Sequence, residues 1–173
     1  MPTKQRRYPI KAKEAKQVLT EAQAKLKLDL DALFGAKANV EVVESEVGLI
    51  YLIGGKPLLF KSGDKVLPTL LFSEFTAKAP KIVVDMGAVP YVCKGADVMA
   101  PGIVRIEGEF SKGDLVLVVD VKFGKALALG ESLMDTETAK ATKKGPIVKT
   151  LHYVSDKIWD YTKILTNNPD LKA

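Results

Sequence analysis

The chain has 173 residues, 47% of them apolar, with a mean hydropathy near zero, which is enough for one domain or two small ones with a proper core. No run approaches the roughly 18–20 consecutive apolar residues of a membrane span, and the charged opening MPTKQRRYPIKAKE has no apolar stretch of the kind a signal peptide needs, so a cytoplasmic protein is expected. A lone cysteine, Cys93, excludes an internal disulfide, and with a lone His152 no usual zinc set is available; neither metal nor cofactor is expected.

The net charge of +5 is unevenly placed. Residues 1–27 carry eight basic groups (Lys4, Arg6, Arg7, Lys11, Lys13, Lys16, Lys25 and Lys27) against Glu14 and Glu21, and the remainder sums to about −1. Such a segment is either an electrostatic handle for a polyanion or a solvated helix face behind a frayed terminus. Within it, Ala15, Val18, Leu19, Ala22, Leu26, Leu30 and Leu33 recur at steps of three and four, which predicts a one-sided helix over 13–33 stopped at Phe34-Gly35.

Short β-like runs follow at 40–43, 49–53, 57–61 and 67–72, divided by Gly54-Gly55 and Ser62-Gly63-Asp64. One helix and three or four antiparallel strands make a small α+β domain over 1–79. Gly54-Gly55-Lys56 has the look of a phosphate loop, but Pro57 stands where a Ser or Thr is required, so it reads as a hairpin turn. The polar stretch 76–80, ending in Pro80, marks the boundary.

Beyond it, 82–84 is a β-branched strand, Asp85 is placed to cap a helix start, and 88–94 is a short helix with Pro90 in its first turn and Gly95 at its end. After a turn at Pro101-Gly102 the chain becomes steadily β at 103–106, 115–121, 126–129 and 147–154. This composition predicts a small closed or nearly closed barrel over 80–165, since closure removes strand edges. Ser155-Asp156 caps a terminal helix carrying Ile158, Trp159, Tyr161 and Ile164-Leu165, and 166–173 reads as a disordered tail.

The segments VVDMGAV, VCKGADVMAPGIV, GDLVLVVD and GPIVKTLHYVSDKIWD, in that order, resemble the PUA domain, the RNA-binding barrel named after pseudouridine synthase and archaeosine transglycosylase. The closing TLHYVSDKIWD is similar to the branch of the malignant T-cell amplified sequence protein and its archaeal relatives, in which a small α+β domain precedes the PUA barrel. The resemblance implies an α+β fold ending in a PUA-type β-barrel with short helices. It also implies binding of structured RNA, a tRNA acceptor end or ribosomal RNA on the small ribosomal subunit, in translation initiation or recycling. A density-regulated-protein partner accompanies the eukaryotic relative.

Carried over by position, the RNA face comprises Met86, Gly87, Ala88, Tyr91, Lys94, Gly95, Ala96, Met99 and Gly102, with Lys149, His152 and Tyr153 at its edges. Glycine and alanine let a sugar-phosphate backbone approach, an aromatic ring stacks on an unpaired base, and lysine neutralises phosphate. Turns and helix ends alone also explain Gly87, Gly95 and Gly102; Tyr91 fits a core position as well as a stacking platform; Lys94 also complements a helix dipole. His152 on an alternating strand reads more readily as a packing residue than as a ligand. Residues 81–157 hold eleven basic and ten acidic groups, so RNA binding there rests on fit rather than bulk charge.

An enzyme needs a nucleophile with its base. Cys93, His152 and Asp120 nominally supply one, but Cys93 falls on the apolar side of its helix with Val89 and Val92, and a non-enzymatic protein is expected. Two other readings are an accessory RNA-binding subunit for an RNA-modifying enzyme and a protein-binding scaffold.

Overall fold

The computed structural model describes residues 5–168. Two compact units divide the chain, one running to Phe75 and taking up again at Asp160, the other spanning Thr76–Trp159.

The first described element is a strand, β1 (Arg6–Pro9), at a position that reads in sequence only as a basic terminus. Its signal was hidden because four residues with two arginines and a proline have little apolar alternation. Pro9 is tolerated because β1 is the sheet edge. The predicted long helix is broken into α1 (Ala12–Leu26) and α2 (Leu30–Phe34). Lys27 takes a left-handed conformation and donates its N–H to the Gln23 carbonyl at 2.9 Å, ending α1. Asp29 then accepts from the Ala32 N–H at 3.0 Å and starts α2, so the apolar spacing continues across a stop that periodicity does not show.

The strands β2 (Val40–Ser45), β3 (Gly48–Ile53), β4 (Lys56–Ser62) and β5 (Lys65–Pro68) follow as a meander, giving the order β1-β2-β3-β4-β5. Gly54 and Gly55 both have positive φ (59° and 83°), the requirement of a two-residue hairpin turn, so the Gly-Gly-Lys run is a turn and no phosphate cradle. Helix α1 packs its buried Ala15, Val18, Leu19, Ala22 and Leu26 toward the sheet and meets β5. A short helix, α3 (Ser73–Lys78), covers most of the predicted boundary stretch.

The second unit contains β6 (Lys81–Val84), α4 (Val89–Val92), β7 (Val98–Met99), a 3-10 turn at Ala100–Gly102, β8 (Ile103–Glu107), β9 (Leu115–Asp120), β10 (Ala126–Ser132), α5 (Thr136–Ala141) and β11 (Pro146–Tyr153). Its sheet has the order β7-β11-β10-β9-β6-β8, antiparallel except for the parallel pair β6 and β9. The two outer strands, β7 and β8, are joined by the three-residue 3-10 turn, so the sheet curls until its edges meet there. Register shifts at 83/84, 126/128, 129/130 and 146/148 bend the strands and permit that curl in so few residues. The expected PUA-type barrel is therefore present. Ile82, Val84, Val92, Val98, Val116, Val118, Leu127 and Ile147 fill its interior.

In the second unit two elements escaped the sequence reading. Strand β7 is only two residues long, and α5 is written in small polar residues, TETAKA. Asp135 caps α5 by accepting from Thr138 at 2.8 Å, and the Thr136 hydroxyl both accepts from the Phe110 N–H (2.7 Å) and donates to its carbonyl (3.0 Å). The terminal helix α6 (Lys157–Asn167) starts as predicted, with the Asp156 carboxylate accepting from Trp159 at 2.7 Å. It continues through Thr166 and Asn167; residues 169–173 of the predicted tail lie outside the described residues.

Candidate nucleic-acid interface

The site is built where β6 leaves the sheet. The Asp85 carboxylate accepts from the Ala88 N–H at 2.9 Å, turning the chain into α4, and the Asp85 N–H donates to the Gly102 carbonyl at 2.9 Å, tying that turn to the start of β8. Helix α4 is a single turn with Pro90 where no donor is needed. It ends as Gly95 swings to φ +90° and the Ala96 N–H returns to the Tyr91 carbonyl at 3.1 Å. The following segment is pinned to β11: Asp97 accepts from the Thr150 N–H at 3.1 Å and the Thr150 hydroxyl donates to the Ala96 carbonyl at 2.8 Å. Asp97 and Thr150 were not among the predicted site residues. A pair 53 positions apart leaves no local signal.

These restraints hold open a cleft of about 360 Å³. Gly87, Ala88, Tyr91, Ala96, Met99 and Gly102, all predicted site residues, line it together with Asp85, Val92, Asp97, Val98 and Pro101. Gly102 is favoured by space, since a Cβ there would sit a tight 3.2 Å from that of Ala88. Tyr91 is 68% exposed, which decides against its reading as a core residue. Met86 and Met99 are exposed as well. Lys94 and Lys149 are on the surface but do not line the cleft.

The remaining predicted residues lie deeper. Tyr153 is partly buried with its ring against Gly95, where it supports the end of α4. His152 is fully buried, so it cannot form an edge of an RNA surface; this corrects its inclusion in the face and favours the packing reading. Its Nδ1 lies 2.7 Å from Asp156 Oδ2.

The nominal thiol triad is not assembled. Burial pushes the Cys93 thiol up, against a smaller opposing influence of Lys125. The Asp120 carboxylate accepts from the Phe123 and Lys125 N–H groups in the turn after β9, and His152 faces Asp156 instead.

The fold defines a two-unit protein whose second unit is a barrel of the PUA type. The PUA domain model matches residues 80–154, and a domain of unknown function, DUF1947, matches residues 6–73. An uncharacterized protein of Methanocaldococcus jannaschii is 37% identical over 157 residues, covering 90% of this chain and 96% of its own. Translation machinery-associated protein 20 of Saccharomyces cerevisiae is 30% identical over 152 residues, covering 83% and 84%. The crystal structure of a hypothetical protein from Pyrococcus horikoshii superposes with a TM-score of 0.70 at 32% identity, over 90% of this chain and 99% of that one. The chain belongs to the PUA-domain family of the malignant T-cell amplified sequence protein and translation machinery-associated protein 20, with its archaeal members. Among the described residues no helix is long and apolar enough to cross a membrane.

Proposed function

We propose that the protein is a non-enzymatic RNA reader that takes the single-stranded acceptor end of tRNA on the α4 cleft, in the cytoplasm and in connection with the small ribosomal subunit during initiation or recycling. The observation that carries this reading is the cleft itself. It is lined by glycine and alanine, the exposed ring of Tyr91 and the Met99 thioether, and its charged lining residues are Asp85 and Asp97, each accepting a backbone N–H, rather than a field of positive charge. A surface of that kind suits an unstacked base at an RNA end, which offers its π-face and edges, better than a duplex, which offers mainly phosphate. The name of the yeast relative, associated with the translation machinery, supports the ribosomal setting. A density-regulated-protein-like partner is part of the same proposal.

Bulk attraction from the N-terminal segment is weaker than the charge count implies. Arg7 Nε and Nη2 donate to Glu41 at 3.0 and 3.1 Å, and Arg6 pairs with Glu44 at 3.6 Å, so both arginines of the segment are paired within the sheet. Lys11, Lys13 and Lys16 remain exposed on or beside α1.

Fluorescence anisotropy with labelled tRNA, intact and lacking its 3′ end, tests the reading. Binding that weakens with salt and is lost with the 3′ end is expected. Absence of binding at low salt overturns the RNA reading, and equal binding of both forms overturns the acceptor-end version.

A further inference from the structure

The turn between β9 and β10 was not part of the face read from the sequence. At its tip Phe123 is 72% exposed, more than Tyr91. The turn is held from below by Asp120, 3% exposed, whose carboxylate accepts from the Phe123 N–H and from the Lys125 N–H at 3.1 Å; the Gly124 N–H donates to the Asp120 carbonyl at 3.0 Å. The Phe123 N–H foremost, with help from the other turn donors, outweighs burial and holds the Asp120 carboxyl below its usual range. The ring at the tip contributes little to folding, since most of its surface faces water. The Lys122 ammonium lies 5.2 Å from its centroid, Lys125 is exposed two residues further on, and the turn's only acid is the buried Asp120.

The turn's position links it to the cleft. Strand β9 runs parallel to β6 with Asp120 opposite Val84, and the Val121 N–H donates to the Val84 carbonyl at 2.9 Å. The turn therefore leaves the barrel at the same end as the 85–88 loop, on the other side of β6 from Gly102.

We propose that the 121–125 turn is a second RNA contact, in which Phe123 stacks on an unpaired base of the strand whose end occupies the α4 cleft and Lys122 and Lys125 take the phosphates beside it. The proposal rests on the cleft being the RNA site. An isolated exposed apolar side chain needs no explanation by itself. A ring on a locked turn, flanked in sequence by two lysines and leaving the barrel at the end where the chain enters α4 and Tyr91, fits the pattern that single strands bind, aromatic platforms along a positive track. A protein-docking patch would surround Phe123 with apolar neighbours, whereas its immediate neighbours in sequence are Lys122 and Gly124, and Val121 is the turn's one other exposed apolar side chain.

The test is anisotropy with labelled unfractionated tRNA for the full chain and for Phe123→Ala, Phe123→Trp, the double variant Lys122→Ala/Lys125→Ala, and Tyr91→Ala. Phe123→Ala is expected to weaken binding roughly 5- to 100-fold, and Phe123→Trp to retain it, because stacking tolerates any flat ring. The double lysine variant is expected to lower the slope of log K against log salt by about 0.7 per phosphate released. Ultraviolet crosslinking with mass spectrometry is expected to place a nucleotide adduct on the Phe123 peptide. Wild-type affinity in Phe123→Ala alongside loss in Tyr91→Ala overturns the turn contact and leaves the cleft reading standing. No binding by the unaltered chain overturns the cleft reading and, with it, this one.

Discussion

The Tyr153 ring closes directly over Gly95: a Cβ at position 95 would fall 2.9 Å from Tyr153 Cε1 and 3.2 Å from its Cζ. Gly95 also has φ +90°, which side chains rarely adopt, so two independent constraints fix one residue at the end of α4. Gly95→Ala is expected to cost roughly 1–3 kcal/mol and to shift α4 against β11. Chemical denaturation measures the cost. In a Tyr153→Ala background the steric part disappears and the backbone part stays, so the two changes should couple by at least about 0.5 kcal/mol. Strict additivity would show that the ring yields without strain.

A second prediction concerns the turn between β11 and α6. Burial pushes the Asp156 carboxyl up, but the hydrogen bond to His152, the attraction of its charge and the Trp159 and Tyr153 N–H groups together outweigh burial and leave it below the ordinary range. A depressed folded-state pKa contributes stability that is present above the unfolded value, about 3.9, and is lost as pH falls through the lower folded value. Unfolding free energy should therefore drop below about pH 4. Asp156→Asn should flatten that limb and, at neutral pH, destabilise by roughly 1.5–3 kcal/mol through loss of the charged bond to the buried imidazole and weakening of the cap. Urea titrations of both chains across pH 2.5–7 check this; parallel curves would remove Asp156 as the source.

The strand β1 carries a third. Arg7 and Glu41 lie diagonally across the β1–β2 pair with side chains 11% and 22% exposed, joined by hydrogen bonds at 3.0 and 3.1 Å. Paired and partly desolvated, Arg7 belongs to the sheet and not to a polyanion handle. Arg7→Ala is expected to lower stability by roughly 1–3 kcal/mol while leaving the salt dependence of tRNA binding unchanged. Replacing exposed Lys13 and Lys16 should do the reverse, barely altering the melting temperature. A reduced salt slope in Arg7→Ala would restore that arginine to the handle.

What the sequence disclosed follows from which interactions are local. The apolar stripe of α1, the Gly54-Gly55 hairpin, the fully buried run of β9 and the Asp85 and Asp156 caps all express themselves within a few residues, and each appears where expected. The stop at Lys27 did not, because a left-handed lysine has no compositional mark and Leu26 and Leu30 keep helical spacing across it. Strand β7 and helix α5 owe their existence to partners at Pro146–Val148 and Phe110 rather than to their own residues. The same division runs through the cleft. The glycines, alanines and Tyr91 of α4 were legible, whereas the bonds from Thr150 to Ala96 and Asp97, and the burial of His152, depend on how β11 pairs with its neighbours.

The last prediction separates the two ways α4 can hold RNA. Tyr91 projects its ring into solvent at the rim of the cleft, so its removal costs little folding free energy, within about 0.5 kcal/mol for a surface change. If it stacks on a terminal base, Tyr91→Ala should weaken tRNA binding by roughly 1–3 kcal/mol with an unchanged salt slope, and Tyr91→Phe should keep most of the affinity, since the ring and not the hydroxyl supplies the contact. Lys94, exposed after α4 and away from the cleft lining, should behave in the opposite manner. Lys94→Ala is expected to weaken binding uniformly across RNA sequences and reduce the salt slope by about 0.7, one phosphate's share. Anisotropy titrations at several salt concentrations distinguish the two. A Tyr91→Ala variant that changes only the slope, or a Lys94→Ala variant that changes only the intercept, would reverse the assignment of stacking and charge between these residues.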